Sequence, residues 1–143
     1  MLHDRNGLEI LDEDECHVLV NTTRLGRIAL SHQALPVILP VTFATVGRDV
    51  VFGVSPGVLA DAAIAGNVVC FQTDWTDENM LAAWSVSMIG RLTALTTPVE
   101  ICGAQHVAIA PWSSDELRYV RLRPAVVSGR RRNAMPPGAA SPT

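Results

Sequence analysis

LPVILPVTFATVGRDVVFGVSPGVLADAAIAG, residues 35–66, is the stretch that decides the fold. Residues 35–46 are apolar and rich in β-branched side chains, a composition that favours a long and largely buried strand. Residues 47–49 form a three-residue turn, and residues 50–55 return as an antiparallel strand. The stretch then predicts a stop at Ser55-Pro56-Gly57, a helix over residues 58–64 and a C-cap at Gly66.

Pro40 lies in the middle of the first of these strands. Because proline has no backbone N–H, it cannot donate a hydrogen bond to a neighbouring strand. It therefore predicts an edge or a gap in the pairing, where backbone groups can face a ligand. A bulge at the rim of a barrel is the other interpretation, and the proline alone favours it.

Composition and charge exclude several classes of function. The chain has 143 residues, 48% of them hydrophobic and 17% charged, which indicates one domain with a core and with apolar surface that a second subunit can cover. The net charge is −3, so no basic field attracts nucleic acid or an anionic membrane. All 11 cationic residues are arginine, whose planar fork is suited to phosphate.

The cysteines and the apolar runs indicate the compartment. Cys16, Cys70 and Cys102 are odd in number and lack CxxC spacing, which argues against a disulfide scaffold and against a zinc ribbon. No apolar run approaches the ~20 residues of a membrane span, and no N-terminal stretch resembles a secretory signal. We therefore expect free thiols in a cytoplasmic protein that does not bind membranes.

The rest of the chain predicts further strands and two helices. Trp84, Val86 and Met88 alternate with outward positions, which is the period of a strand. Gly90 interrupts that strand as a bulge or as a close approach of two backbones. The other predicted elements are a helix over 12–21 with N-cap Asp12 and capping-box residue Glu15, strands over 25–31, 67–73, 84–95 and 117–127, a loop over 74–80 and a helix over 97–110.

These elements predict one mainly β (α+β) domain. Six antiparallel strands of this apolar character favour a closed or nearly closed small barrel with short flanking helices. Residues 1–10 are expected to form a flexible N-terminal arm, and residues 11–130 the domain. Residues 131–143, rich in proline, glycine, alanine and serine, predict a disordered tail.

Six segments occur in an order that resembles a known family: LGRIAL, LPVILPVTF, DVVFGVSPG with a following helix, NVVCFQTD, WSVSMIGRLTAL and VRLRPAVVSGRRR. Over roughly residues 8–132 the chain is similar to the pyridoxamine 5′-phosphate oxidase-like proteins, which are FMN-binding split β-barrels, in their short actinobacterial form. The resemblance implies a six-stranded antiparallel split β-barrel that binds FMN and acts as an oxidoreductase on a small molecule. It also implies a homodimer with cofactor clefts at the subunit interface.

The same resemblance implies a set of cofactor-binding positions. The backbone at residues 40–43 corresponds to the strand beside the flavin ring, and residues 52–60 correspond to the segment that binds the phosphate. The implied set is Pro40, Val41, Thr42, Phe43, Val54, Ser55, Gly57, Leu59, Trp84, Ser85 and Arg91.

The phosphate segment departs from the family pattern F-R-T-A-P-G-S-K-L. Here it is FGVSPGVLA, so Gly53, Val54 and Leu59 stand where the pattern has arginine, threonine and lysine. Two cations and a hydroxyl are therefore missing. Ser55, the backbone N–H of Gly57 and the start of the next helix remain to bind an anion.

This departure leaves alternative functions open. One alternative is a divergent barrel that has lost FMN and serves as a ligand-binding or interaction protein. The other is a protein that binds a deazaflavin through contacts to the ring. FMN binding calls for a cation from elsewhere, and Arg27 and Arg91 are the candidates. No catalytic residue is assigned. No metal site is predicted either, because adjacent Cys16 and His17 point about 100° apart on a helix.

Two groups of side chains retain two interpretations each. Trp84 and Trp112 either stack on a flat ring or pack at core or interface positions. Arg121, Arg123 and residues 130–132 either approach the cleft of a partner subunit or form a solvated strand edge.

Overall fold

Antiparallel strands dominate the protein, whose computed structural model describes residues 2–97, 99–100 and 117–133. The strands are β1 (Glu9–Ile10), β2 (Leu25–His32), β3 (Leu35–Val46), β4 (Asp49–Val54), β5 (Val68–Thr76), β6 (Ala83–Ala94) and β7 (Arg118–Arg132). The helices are α1 (Glu13–Val20) and α2 (Val58–Ala65). The mainly β class with short flanking helices is therefore confirmed, although the described strands number seven and not six.

Six strands, β2 to β7, pair in a closed ring that resembles a split barrel. Neighbours follow the order β7, β4, β3, β2, β5 and β6, and β6 pairs again with β7. Every pairing is antiparallel. These are the six strands that the sequence predicts, and β1 is the additional strand at the end of β7.

β1 lies in the segment predicted as a flexible arm. Glu9 pairs with Arg131 and Ile10 with Arg130, so the same contact extends β7 into the segment predicted as a tail. The Arg131 side chain donates to Glu9 at 2.7 Å, and Arg130 lies 3.3 Å from Asp4. Ion pairs between the two ends of the chain thus create strand structure that local composition does not predict.

Two strands are longer than predicted because a neighbour supplies their hydrogen bonds. β5 continues through Asp74 to Thr76, part of the predicted loop, opposite the first residues of β6. β7 continues from the predicted end at Val127 to Arg132, opposite the first residues of β6. The predicted helix over 97–110, apart from residues 97, 99 and 100, lies outside the described residues, as do Cys102, Trp112 and the segment 134–143.

The ring is split where β3 and β4 separate. The two strands pair only from Phe43–Phe52 to Val46–Asp49, within the described chain. On its other side, β3 pairs with β2 along eight residues, including Pro40 opposite Arg27. The edge of β3 that carries Pro40 therefore lies open toward β4, which is the gap in pairing that was one interpretation of the proline. The other interpretation, a bulge, is wrong, because the register against β2 does not shift at Pro40.

The interior of the ring is filled by inward side chains from all six strands. Phe43 and Phe71 meet edge to face with ring centroids 4.8 Å apart. The residues with the largest fully buried side chains are Phe52, Phe71, Ile28, Met88, Leu92 and Leu122. α2 closes one end with Leu59, Ala60 and Ala63 in the same core. This packing fixes the position of α2 relative to the open edge of β3.

Candidate functional site

A cleft of about 330 Å³ lies between the open edge of β3 and the turn that leads from β4 into α2. Its walls are mostly apolar, and Thr42 and Ser55 add hydroxyl groups. The lining residues are Leu39, Pro40, Val41, Thr42, Gly53, Val54, Ser55, Pro56, Gly57, Val58 and Leu59. The volume falls at the low end of the range for sites that bind small molecules.

One wall of the cleft is the backbone of β3, which pairs with β2 on one side and has no neighbouring strand on the side of the cleft. β4 leaves β3 after Phe52 and continues along β7, where Gly53 pairs with Tyr119 and Val54 with Arg118. An extended backbone presents alternating N–H and C=O groups along its edge. The N–H of Phe43 donates to Arg24 on the β2 side, so by this alternation the backbone groups of Pro40 face the cleft, where its carbonyl oxygen is an acceptor beside apolar walls.

The opposite wall contains the start of α2. Gly57 is its N-cap, with φ 154°, and no side chain caps the helix there. Because the first N–H groups of a helix have no intrahelical acceptors, they and the helix dipole favour an anion. At the other end, Gly66 adopts the left-handed conformation predicted for a C-cap, with φ 70°.

No charged side chain is among the described residues that line the cleft. Arg27 is the cross-strand neighbour of Pro40, but its guanidinium donates to Gln72 Oε1 at 2.8 Å and lies 3.8 Å from Asp74. Arg91 donates to the carbonyl oxygen of Gly66, at the C-terminal end of α2. Neither candidate cation thus lines the cleft.

Seven of the eleven predicted cofactor positions come together here: Pro40, Val41, Thr42, Val54, Ser55, Gly57 and Leu59. Phe43 points into the core, where it is 4% exposed. Trp84, Ser85 and Arg91 lie on β6, outside the cleft. Their assignment to the cofactor stays a prediction.

Two of the β6 residues have partners on other strands. Trp84 is buried and pairs with Trp75 and Arg131. The Ser85 hydroxyl accepts a hydrogen bond from Gln72 Nε2 at 3.1 Å. The cleft is also lined by four residues outside the eleven predicted positions: Leu39, Gly53, Pro56 and Val58. Three of them lie in the segment 52–60 that the family resemblance assigns to the phosphate, and Leu39 is adjacent to Pro40; these are the signals that find them.

The titratable groups near the core do not form a second reactive centre in the described ranges. Burial raises the pKa of the Cys16 thiol, and nearby carboxylates of α1 raise it further. Burial also raises the pKa of Cys70. Among the described residues, no three His, Cys, Asp or Glu side chains are placed to hold a metal ion.

Comparison with protein families identifies one match, which spans most of the chain. The model of the family described as pyridoxamine 5′-phosphate oxidase matches residues 12–131. An uncharacterized protein of Mycobacterium tuberculosis, Rv0080, is 29% identical over 127 residues, which are 85% of this chain and 83% of the relative. The predicted resemblance is therefore confirmed by a match that includes the whole cleft.

Solved structures support the same fold. An FAD binding protein from Mycobacterium smegmatis is 30% identical, with a TM-score of 0.73 over 87% of this chain and 100% of that protein. An FAD-binding protein from Mesorhizobium loti has a TM-score of 0.74 over 87% of this chain and 96% of its own; at 22% identity it supports the fold alone. In the part of the chain that the structure describes, no helix is long and apolar enough to cross a membrane.

Proposed function

Because the chain belongs to the pyridoxamine 5′-phosphate oxidase family, we propose that its cleft binds a flavin and that the protein is a flavin-dependent oxidoreductase acting on a small molecule. The observation that carries the proposal is the open backbone edge of β3 at residues 39–42, which faces an apolar cleft beside the start of α2. A flavin ring is flat and apolar on its faces and has donors and acceptors along one edge. The two walls match these properties.

FMN is the flavin that the sequence predicts, and FAD is the flavin named for the M. smegmatis relative. Both contain the same tricyclic ring, so the ring wall of the cleft serves either one. A bound flavin supplies the transfer of a hydride or of electrons. The chain contributes the binding site, the orientation of the ring and the exclusion of water from its apolar side.

Each wall has a separate role in this proposal. The backbone carbonyl of Pro40 orients the polar edge of the ring, while Leu39, Val54 and Val58 cover its apolar surface. Proline at position 40 offers a carbonyl oxygen and no N–H, so this part of the edge only accepts hydrogen bonds. Since none of the described lining residues titrates near neutral pH, we assign no acid or base to the cleft.

We further propose a cytoplasmic homodimer. Ile38, Ala29, Cys70, Ile89 and Val126 are successive cross-strand neighbours on the outside of the ring, and we call them the outer apolar row. Ile38 is 68% exposed, Val126 55% and Ile89 42%. An exposed apolar row across five strands is typical of a surface that a second subunit covers. Because Pro40 lies two residues from Ile38, this interface would pass beside the cleft.

A second candidate function follows from the uncharged lining. A barrel that has lost FMN, acting as a ligand-binding or interaction protein, needs no cation in the cleft. A deazaflavin bound through its ring is compatible with the same walls. The absence of charge at positions 53 and 59 supports these two alternatives.

Titration of the apo-protein with FMN, FAD and a deazaflavin tests the proposal. We expect saturable quenching of flavin fluorescence in the micromolar range and a higher melting temperature with ligand. V58W fills the cleft and should abolish both effects, while I64W, on the exposed side of the same helix, should preserve them. No binding of any flavin up to hundreds of micromolar would refute the flavin proposal and favour the interaction protein.

A further inference from the structure

We infer that the cleft selects its ligand by the flavin ring and not by the phosphate, so that riboflavin, FMN and FAD bind with similar affinity. This inference rests on the proposed function, because it concerns the same cleft. It goes further in assigning the class of ligand group that the site recognises. The distribution of cations over the whole chain supports this assignment.

The chain has no lysine, and all 11 arginines lie within the described residues. None of the 11 lines the cleft. The segments 101–116 and 134–143 contain neither lysine nor arginine, so they have no strong cation to add. A phosphate in the cleft therefore meets no guanidinium or ammonium group from the same chain.

Two arginines are cross-strand neighbours of cleft residues, and both make contacts away from the cleft. Arg27 is bound by Gln72 and Asp74 on β5, the side of β2 that faces away from β3. Gln72 is fixed in turn, since its Nε2 donates to Asp74 at 3.0 Å and to Ser85 at 3.1 Å. Turning Arg27 toward the cleft would break this network.

Arg118 is the cross-strand neighbour of Val54, which lines the cleft. It borders a different cavity of about 230 Å³, together with Ala60 and Ile64 of α2. Val58 and Leu59 line the flavin cleft, so α2 separates the two spaces. Arg118 therefore lies beside the second cavity, on the side of α2 that faces away from the cleft.

Within one chain, the start of α2 is the remaining positive element. The outer apolar row, through which we propose that a second chain docks beside the cleft, contains no arginine. A helix N-terminus attracts an anion by an amount that corresponds to a few-fold in affinity. A guanidinium or ammonium in direct contact with phosphate contributes tenfold or more. FMN carries close to two negative charges on its phosphate. A cleft in which the start of α2 is the only positive element from its own chain gains little affinity from these charges.

The experiment compares the dissociation constants of riboflavin, FMN and FAD for the wild-type protein, by fluorescence quenching at 50 and 300 mM NaCl. We expect the three constants to lie within tenfold of one another and to change less than threefold with salt. Binding of FMN more than tenfold tighter than riboflavin would overturn this inference while supporting the proposed function. Failure of all three to bind would overturn the proposed function, and this inference with it.

A pair of charge variants tests the physical cause. V58K places an ammonium group in the cleft, and I64K places the same charge on the exposed side of α2, where Ile64 is 68% exposed. We expect V58K to tighten FMN about tenfold relative to riboflavin, and I64K to leave that ratio unchanged. An equal ratio in wild type and in folded V58K would contradict the inference. G53R, on β4, gives the same test if V58K does not fold.

Discussion

A Cβ atom at Gly90 on β6 would lie 2.1 Å from the backbone carbonyl oxygen of Arg123 on β7. The register between these strands shifts from Ile89 to Gly90, and Gly90 pairs with Pro124. The missing side chain therefore lets two backbones meet at the position where the ring closes. Both interpretations of Gly90 in the sequence, a bulge and a close backbone approach, describe this one feature.

G90A should lower the free energy of unfolding by about 2 kcal/mol or more, because the obstacle is backbone that cannot turn away. Urea unfolding monitored by tryptophan fluorescence measures the change. S87A on the same strand is the matched control, and we expect it to stay within about 0.5 kcal/mol of wild type. Equal stability of the two variants would contradict the close approach.

Much of the ring can be predicted from local pattern. The alternation at Trp84, Val86 and Met88 gives β6, and all three residues are buried as the period requires. β1 cannot be predicted in this way, because Glu9 joins the sheet by pairing with Arg131, which is 122 residues away. Local composition classifies both segments as polar and irregular.

Prediction of the candidate site from local sequence has the same limit as prediction of the strands. Pro40 predicts the open edge because a missing N–H is a local property, and the structure places the cleft there. Trp84, Ser85 and Arg91 were assigned through the family resemblance, and the position of β6 depends on pairings with β5 and β7. Their contact with the cofactor stays a prediction.

The turn between β2 and β3 contains a strained residue that a single change can relieve. Gln33 and Ala34 have φ of 51° and 64°, the left-handed conformation that a two-residue hairpin turn of this type requires at both positions. A non-glycine residue with a Cβ is disfavoured there. We expect A34G to raise the free energy of unfolding by about 0.5–1 kcal/mol. The relief of backbone strain in the folded protein exceeds the cost of the greater conformational entropy that glycine gives the unfolded chain.

A29G provides the control for the entropy term. Ala29 is in the middle of β2 with ordinary strand geometry, so glycine there should destabilise by about 0.5–1 kcal/mol. Thermal melts of the two variants should therefore shift in opposite directions. A lower melting temperature for A34G would show that the turn is not strained.

The contact between the chain ends makes stability depend on pH. Hydrogen bonds from Arg131 lower the pKa of Glu9 below its usual value of 4.5, and hydrogen bonds from backbone N–H groups, that of Leu8 foremost, lower the pKa of Asp4. Because both carboxyls bind protons less readily in the folded protein, their stabilisation is full above the pKa of the unfolded chain. It is lost as the pH falls through the lower folded values.

Urea unfolding at pH 7, 5, 4 and 3 measures this loss. E9Q should flatten the decline between pH 5 and pH 3, because the proton uptake of Glu9 is removed. D14N is the matched control: Asp14 forms an exposed pair with Arg48, and such pairs contribute little. The same pH dependence in E9Q and wild type would show that Glu9 does not contribute to the acid sensitivity.

The outer apolar row gives a direct test of the dimer. I89D adds a charge within that row, where Ile89 is already partly exposed, so the fold should tolerate it while a subunit contact should not. We expect sedimentation to give the mass of two chains for wild type and of one for I89D. V18D, on exposed α1, should remain a dimer.

If the clefts lie at the interface, I89D should also weaken flavin binding at least tenfold. A monomeric wild type that binds flavin normally would exclude a cleft shared between two subunits.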